Sequence, residues 1–359
     1  DNQKVFLNAL NLIPGVGYET ISKISEYFQG DFEAGFKASP SKLKQAGIKD
    51  EELEAISTKR DRVNPEKEFE RLSKEGVQFV VIGEKKYPRL LKEIFGAPFA
   101  LYIRGDLKKE DNFAFGVVGT RLATDYGKDT AYSISLKLAQ SGLTIVSGLA
   151  YGIDAKAHKG ALDGGGRTIA VLGSGLDDKT IFPQENVSLA HKIIENGALI
   201  SEYPVGAEPT KEKFPFRNRI ISGLSRGVLI VEAPLKSGAL ITAKCALEQN
   251  RDVFAIPGSI FSRMSFGANL LIKQGATLVT RAEDILQELN IKFGFETGRV
   301  FKPANEIEQK IFQFLGESGE PRHIDDIIRN SGLPVQNGLP PSSSSSWSFC
   351  ASCIASRPA

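Results

Sequence analysis

The densest group of chemistry-bearing side chains is Lys211-Glu212-Lys213-Phe214-Pro215-Phe216-Arg217-Asn218-Arg219, extended to Arg226. It combines five basic residues with one acid and two phenylalanines. Ammonium and guanidinium groups bind phosphate oxygens, and a guanidinium does so as a two-pronged fork. Exposed aromatic rings offer faces on which unpaired bases stack. Buried rings would instead leave core under a solvated charged surface, and the residue types allow both arrangements. Asn218 lies between two arginines and precedes Ile220-Ile221, which suits a helix start facing a ligand.

Glycine-bearing turns surround this segment in the sequence. Val118-Gly119-Thr120-Arg121-Leu122-Ala123-Thr124 follows an apolar run. Gly119 lets backbone approach a ligand, Thr124 suits a helix cap, and Arg121 adds a phosphate fork beside free N–H groups. An ordinary strand-to-helix turn with a surface arginine would use the same residues. Ser147-Gly148-Leu149-Ala150-Tyr151-Gly152-Ile153-Asp154 and Gly173-Ser174-Gly175-Leu176-Asp177 repeat the theme. Ser237-Gly238 opens a further helix that could hold another phosphate. Glu232, just before it, either orients Arg217 or Arg219 or does chemistry. No GxGxxG follows the first strand and no GxxxxGK[ST] occurs, which disfavours dinucleotide and P-loop triphosphate sites.

Catalysis has little support. Asp154 and His158 are four apart on a helical stretch and share a face. No serine or cysteine motif supplies a nucleophile, so a satisfied His–Asp pair is the expectation. Cys350 and Cys353 have metal-like spacing without a second ligand pair, so neither metal nor cofactor is expected. The three cysteines form no disulfide framework and suit a reducing compartment. The net charge is only +2, so any basic surface must be local. There is no apolar signal core and no apolar run near 18 residues, so a cytoplasmic protein is expected, with no membrane span. A start at Asp1 rather than Met reads as processed or incomplete.

The elements that must position these groups fall into four parts. Residues 1–64 read as short helices. Val5, Leu7, Leu10 and Leu12 lead into Ile13-Pro14-Gly15-Val16-Gly17, and Ile21, Ile24 and Phe28 recur at helical spacing. This helix-hairpin-helix-like unit either presents N–H groups to DNA phosphate or only packs. Over 65–295, short apolar strands alternate with helices: Phe115 to Val118, Thr144 to Val146, Thr168 to Leu172, Ala198 to Ile200, Val228 to Val231, Val253 to Ile256 and Thr277 to Val279. That pattern predicts an α/β, Rossmann-like, mostly parallel sheet with helices on both faces and ligands at the carboxyl ends of its strands. Residues 296–336 resemble an incomplete winged helix. Residues 337–359, with five consecutive serines, read as a disordered, anomalous tail, frame-shifted or vector-derived.

In order and spacing, these segments resemble the DNA-processing protein A family (DprA, also called Smf) across residues 5–336. The resemblance rests on Val118-Gly119-Thr120-Arg121, Ser147 to Asp154, Ala157-His158, Leu172 to Asp177, Ser201-Glu202-Tyr203-Pro204, Phe214 to Ile221, Glu232-Ala233, Ser237 to Ala243 and Ala255-Ile256-Pro257-Gly258. Tyr87-Pro88 with Leu90, and Leu101-Tyr102 before Gly105, resemble its lead-in strands. The resemblance implies a helical, SAM-like N-terminal domain and a Rossmann-like domain that binds single-stranded DNA. It also implies a homodimer that helps load the RecA recombinase during natural transformation. By motif, Arg121, Lys211, Phe214, Arg217 and Arg219 become the DNA-contact candidates. Gly119, Ser147, Gly148, Gly173 and Gly175 would shape the groove, with Ser237 and Gly238 beside it. The alternative is a nucleotide phosphoribohydrolase-like enzyme. The double glycine of that group's PGGxGT loop is absent from Pro234 to Thr242, which lowers this alternative.

Overall fold

The computed structural model describes residues 2–290. The segment 296–336 expected to resemble an incomplete winged helix, the serine-rich tail and the Cys350–Cys353 pair lie outside the described residues. The first part is helical: α1 (Asn2–Asn11), α2 (Tyr18–Tyr27), α3 (Phe32–Lys37), α4 (Pro40–Gln45), α5 (Asp50–Lys59) and α6 (Pro65–Lys74). Side-chain caps start several of them. Asp31 accepts from the Ala34 N–H, and Asn64 accepts from the Lys67 N–H at 2.9 Å ahead of Pro65. The turn between α1 and α2 takes Gly15 to a φ of +95°, a conformation that favours glycine.

The chain continues as β1 (Val77–Val81), α7 (Arg89–Lys92), β2 (Ala100–Gly105), β3 (Ala114–Val118), α8 (Asp125–Gln140), β4 (Thr144–Ser147), α9 (Ile153–Asp163) and β5 (Thr168–Leu172). Then follow α10 (Val187–Asn196), β6 (Gly197–Ser201), α11 (Lys213–Leu224), β7 (Gly227–Ile230), α12 (Gly238–Glu248), β8 (Asp252–Ala255), α13 (Phe266–Lys273), β9 (Thr277–Leu278) and α14 (Ala282–Glu288). The strands form one sheet in the order β1-β2-β6-β5-β4-β3-β7-β8-β9. From β6 to β9 every pairing is parallel, whereas β1 and β2 add on antiparallel. The strand order reverses between β3 and β7, the switch point where such sheets open a crevice at their carboxyl ends.

Burial on both faces explains the apolar strands. Val118, Val146, Val171 and Ile230 face one side and pack with Ile220 and Ile221 of α11 and Ala243 of α12. Phe115, Val117, Ile145 and Leu229 face the other and pack with α8, α9 and α14. Each fully buried aliphatic side chain contributes about 1.5–3 kcal/mol. The helical part has no separate core. Phe6, Leu7, Leu10, Ile24 and Ile56 share one apolar cluster with Phe79, Tyr102, Leu172 and Leu199 of the sheet. A polar tie reinforces it: the buried Tyr102 hydroxyl donates to Asn8 Oδ1 at 2.7 Å.

Two local expectations are corrected. Tyr87-Pro88 is not part of a strand but leads into α7, because the Tyr87 hydroxyl turns back to donate to the Pro98 carbonyl at 2.7 Å. Asn218 does not start a helix. α11 begins five residues earlier at Lys213, and Asn218 Nδ2 donates sideways to the Gly238 carbonyl at 3.1 Å.

Candidate nucleic-acid interface

The first turn of α11 meets the loops leaving β3, β4 and β5 at the carboxyl edge of the sheet. A small cleft opens there. It is lined by Arg121, Gly148, Tyr151, Phe182, Phe214 and Arg217 among others. Arg121 is exposed, and its guanidinium lies over the Phe214 ring at 5.1 Å from the centroid. Phe182 meets the same ring at 5.7 Å and is itself 41% exposed. Gly173 makes room for this cluster, since a Cβ there would stand 3.0 Å from Phe214 Cδ1. A cation and two aromatic rings thus converge on one opening, the combination that holds a phosphate next to a base. Phe182 and Tyr151 were not singled out from sequence. Phe182 stands in Ile181-Phe182-Pro183, which carries no charge, and only the fold brings it to Phe214.

Arg217 occupies the floor of the cleft. It is 5% exposed and donates through Nη1 to the Gly148 carbonyl at 2.8 Å and to the Val171 carbonyl. Desolvation lowers its pKa to about 10, opposed by the nearby Asp154 carboxylate. Asp154 is buried, which raises its pKa, and Arg217 counteracts the shift. Asp154 Oδ2 also accepts from the Gly148 N–H at 3.1 Å. The Gly148 peptide is therefore held from both ends by opposite charges. No side chain fits there, because a Cβ would lie 2.5 Å from Arg217 Nη1. Leu149, next in the loop, is buried with φ +58°, and Asn186 Nδ2 donates to its carbonyl at 2.8 Å. An outlying backbone conformation of this kind costs of order 1–3 kcal/mol and persists where its surroundings enforce it.

Arg219 turns away from the cleft. Its Nη2 donates to both carboxylate oxygens of Glu202, at 2.8 and 2.9 Å, in a largely buried pair. Lys211 is exposed just ahead of α11. Lys213 is half-buried with its ammonium 4.9 Å from the Tyr203 ring centroid.

Most of the remaining candidates are packed by the protein itself. Ser147 is buried and donates to the Val117 carbonyl at 2.6 Å. Gly119 abuts Ile153 and the Glu232 carbonyl, and Gly175 abuts Asp177, Thr180 and Gly206. Both allow close packing of loop on loop rather than of loop on ligand. Ser237 caps α12 by accepting from the Ala239 N–H at 3.3 Å, and Gly238 is exposed with open space where a side chain would be.

Two expected roles do not hold. Glu232 orients neither arginine. It is buried and accepts from the Thr124 N–H at 2.9 Å and the Thr124 hydroxyl at 2.6 Å, tying down the start of α8. His158 does not pair with Asp154. Its Nδ1 meets the Thr168 hydroxyl at 2.7 Å, and that hydroxyl donates onward to the Ile145 carbonyl at 2.8 Å. Nδ1 is thus the protonated nitrogen, and buried Nε2 has no partner among the described residues. Burial drives the pKa of this imidazole down to about 3. Among the described residues no cluster of His, Cys, Asp and Glu could hold a metal, and no helix could cross a membrane.

Fold and cleft together define a Rossmann-like protein with a cation–aromatic site at the carboxyl edge of its sheet. The chain belongs to the DNA recombination-mediator protein A family, whose model matches residues 78–290. It is 50% identical to protein Smf of Escherichia coli over 258 residues, covering 69% of this chain and 68% of that one. It is 42% identical to the DNA processing protein DprA of Bacillus subtilis over 248 residues, covering 69% and 81%. Its structure resembles the X-ray structure of DprA from Streptococcus pneumoniae, with a TM-score of 0.67 at 36% identity, covering 80% of this chain and 98% of that one. It also resembles DNA processing protein A from Helicobacter pylori, a structure that concerns that protein's single-stranded DNA binding mode. There the TM-score is 0.54 at 31% identity, covering 60% of this chain and 97% of that one.

Proposed function

We propose that the cleft at the first turn of α11 binds single-stranded DNA, with Arg121 and Lys211 on phosphates and Phe214 and Phe182 against bases. The observation that carries this reading is the stacking of exposed Arg121 on Phe214 with Phe182 alongside. Duplex DNA hides its base faces, so a site built on stacking favours the single strand. Membership of a recombination-mediator family supports the reading, as does the single-strand binding of the Helicobacter pylori relative. Gly119, Ser147, Gly148, Gly173 and Gly175 shape the loops. Ser237 and Gly238 offer a further contact at the start of α12. Arg217 and Arg219 act beneath the surface as supports. In the cell the chain works in the cytoplasm as a homodimer and helps load the RecA recombinase on the strand it protects, during transformation and recombination. It does no chemistry on the DNA. Glu232, the acid that a phosphoribohydrolase-like reading would need, is enclosed and engaged by Thr124.

The test is fluorescence anisotropy with a labelled oligonucleotide, single-stranded against duplex, for wild type and Arg121→Ala. Salt-sensitive preference for the single strand, weakened in the variant, is expected. Equal duplex binding, or none at all, would overturn the proposal.

A further inference from the structure

Phe214 accounts for one flank of the α11 first turn and leaves Phe216 unexplained. Phe216 is 44% exposed on the first turn of a twelve-residue helix, with exposed Pro215 beside it. A lone exposed phenylalanine is ordinary. This one has a backing that most lack. The Arg219 guanidinium lies 4.1 Å from its ring centroid. That guanidinium is fixed in turn by its two bonds to Glu202, while Gln249 Nε2 holds the Arg219 carbonyl at 3.0 Å. The cation therefore has little freedom to leave the ring.

We propose that Phe216 is a second base-stacking platform, with a preference for purines, on the opposite flank of the α11 first turn from Phe214. The inference rests on the single-strand reading of the cleft and extends its track. Residues two apart on a helix are separated by about 200° around the axis. The two rings thus stand on opposite flanks of a cylinder about 10–12 Å wide. Bases on the two rings cannot be stacked neighbours, which lie about 3.4 Å apart. The strand must cross the amino end of α11 between them. There Lys211 and Lys213 stand, and the positive end of the helix dipole favours a phosphate.

The purine preference follows from the sandwich. A cation on one face draws electron density from the ring, leaving the other face more receptive to an electron-rich partner. Purines offer the larger electron-rich surface. Phe214 differs in that its ring already carries Arg121 and Phe182, so a base there contacts a composite wall.

The experiment compares wild type, Phe216→Ala, Phe216→Leu and Phe216→Trp in anisotropy titrations with an oligothymidylate and a mixed-purine oligomer of equal length. Phe216 is exposed, so all four should fold, and their melting curves verify it. Both Phe216→Ala and Phe216→Leu should lose about tenfold on the purine oligomer, in the range of one lost stacked base. The loss on oligothymidylate should be smaller, and the salt slope should not change. The Phe216→Trp variant should bind like wild type. Its added indole emission, measured against the native Trp347 background, should be quenched on binding. Wild-type affinity in Phe216→Leu would overturn the platform, because leucine keeps apolar contact and lacks a π face. Equal losses on the two oligomers would overturn the purine preference. Failure of the wild type to bind any single strand would instead bring down the cleft reading, and this inference with it.

Discussion

The rim of the cleft and its floor are built from the same residue types and behave as opposites. On the rim, Arg121 and Lys211 are exposed, and Arg121 makes its only described stacking contact with Phe214. Beneath it, Arg217 on the floor and Arg219, turned away from the cleft, are buried or nearly so, and each is committed: one to the Gly148 and Val171 carbonyls beside Asp154, the other to Glu202. A rim cation is worth little to stability and is available to a ligand. A floor cation holds a loop in place, and its loss strands an unpaired charge in the interior. Whether an arginine binds or supports is therefore set by depth, not by residue type.

The strongest way to break this contrast is Arg217→Ala. Removing it leaves Asp154 buried without its counter-charge and two carbonyls without their donor. A loss of about 3–5 kcal/mol in unfolding free energy is expected. Urea unfolding measures it, with Arg121→Ala in parallel expected to lie within about 0.5 kcal/mol of wild type. Equal stability of the two variants would erase the distinction between floor and rim.

A second effect, from the buried interior, is pH-dependent. The His158 pKa lies near 3 in the folded chain, well below its ordinary 6.5, so its contribution to stability is complete above pH 6.5 and declines as pH falls toward 3. Between pH 7 and 5 this amounts to about 2 kcal/mol. Burial raises the Asp154 carboxyl, whose contribution therefore has the opposite sign and declines as pH rises above its unfolded value near 3.8. The difference between wild type and His158→Asn isolates the imidazole, because asparagine keeps a donor for Thr168. A flatter acid limb in His158→Asn is expected, and an unchanged limb would rule out a neutral buried His158.

Next in size is Phe214→Ala on the rim. Losing one stacked base weakens single-strand binding about tenfold without altering its salt dependence. Anisotropy titrations at several salt concentrations separate the two quantities. A changed slope at constant affinity would contradict a stacking role.

The sheet was legible in sequence because both of its faces are covered. Runs such as Ile169 to Leu172 are apolar throughout, and the loops between them carry the glycines. The cleft was legible in part. Arg121, Gly148, Phe214 and Arg217 do come together, because a parallel sheet delivers every β-to-α loop to one edge. What the residue string hides is depth. Arg217 and Arg219 are two apart in a helix and look alike, yet one points under the Gly148 loop and the other toward Glu202. The His158 partner was hidden for a related reason. Helical spacing put Asp154 on the same face, but the hydroxyl that reaches Nδ1 comes from Thr168 on a neighbouring strand.

The smallest predicted effect discriminates most finely between rim and floor. Five neutralised phosphates would need Lys213 beside the four candidate cations Arg121, Lys211, Arg217 and Arg219. Each neutralised phosphate on a single strand adds about 0.7 to the slope of log affinity against log salt. Five would give about −3.5, or roughly a hundredfold loss between 50 and 200 mM salt. If Arg217 and Arg219 are internal supports, only Arg121, Lys211 and Lys213 remain. The slope is then about −2 and the loss roughly twentyfold. Lys211→Ala should lower the wild-type slope by about 0.7 and leave the melting temperature unchanged, since Lys211 is exposed. A wild-type slope near −3.5 would mean that Arg217 and Arg219 leave their carbonyl and carboxylate partners to meet the strand. The cleft would then have to open on binding, and the contrast between rim and floor would describe only the free protein.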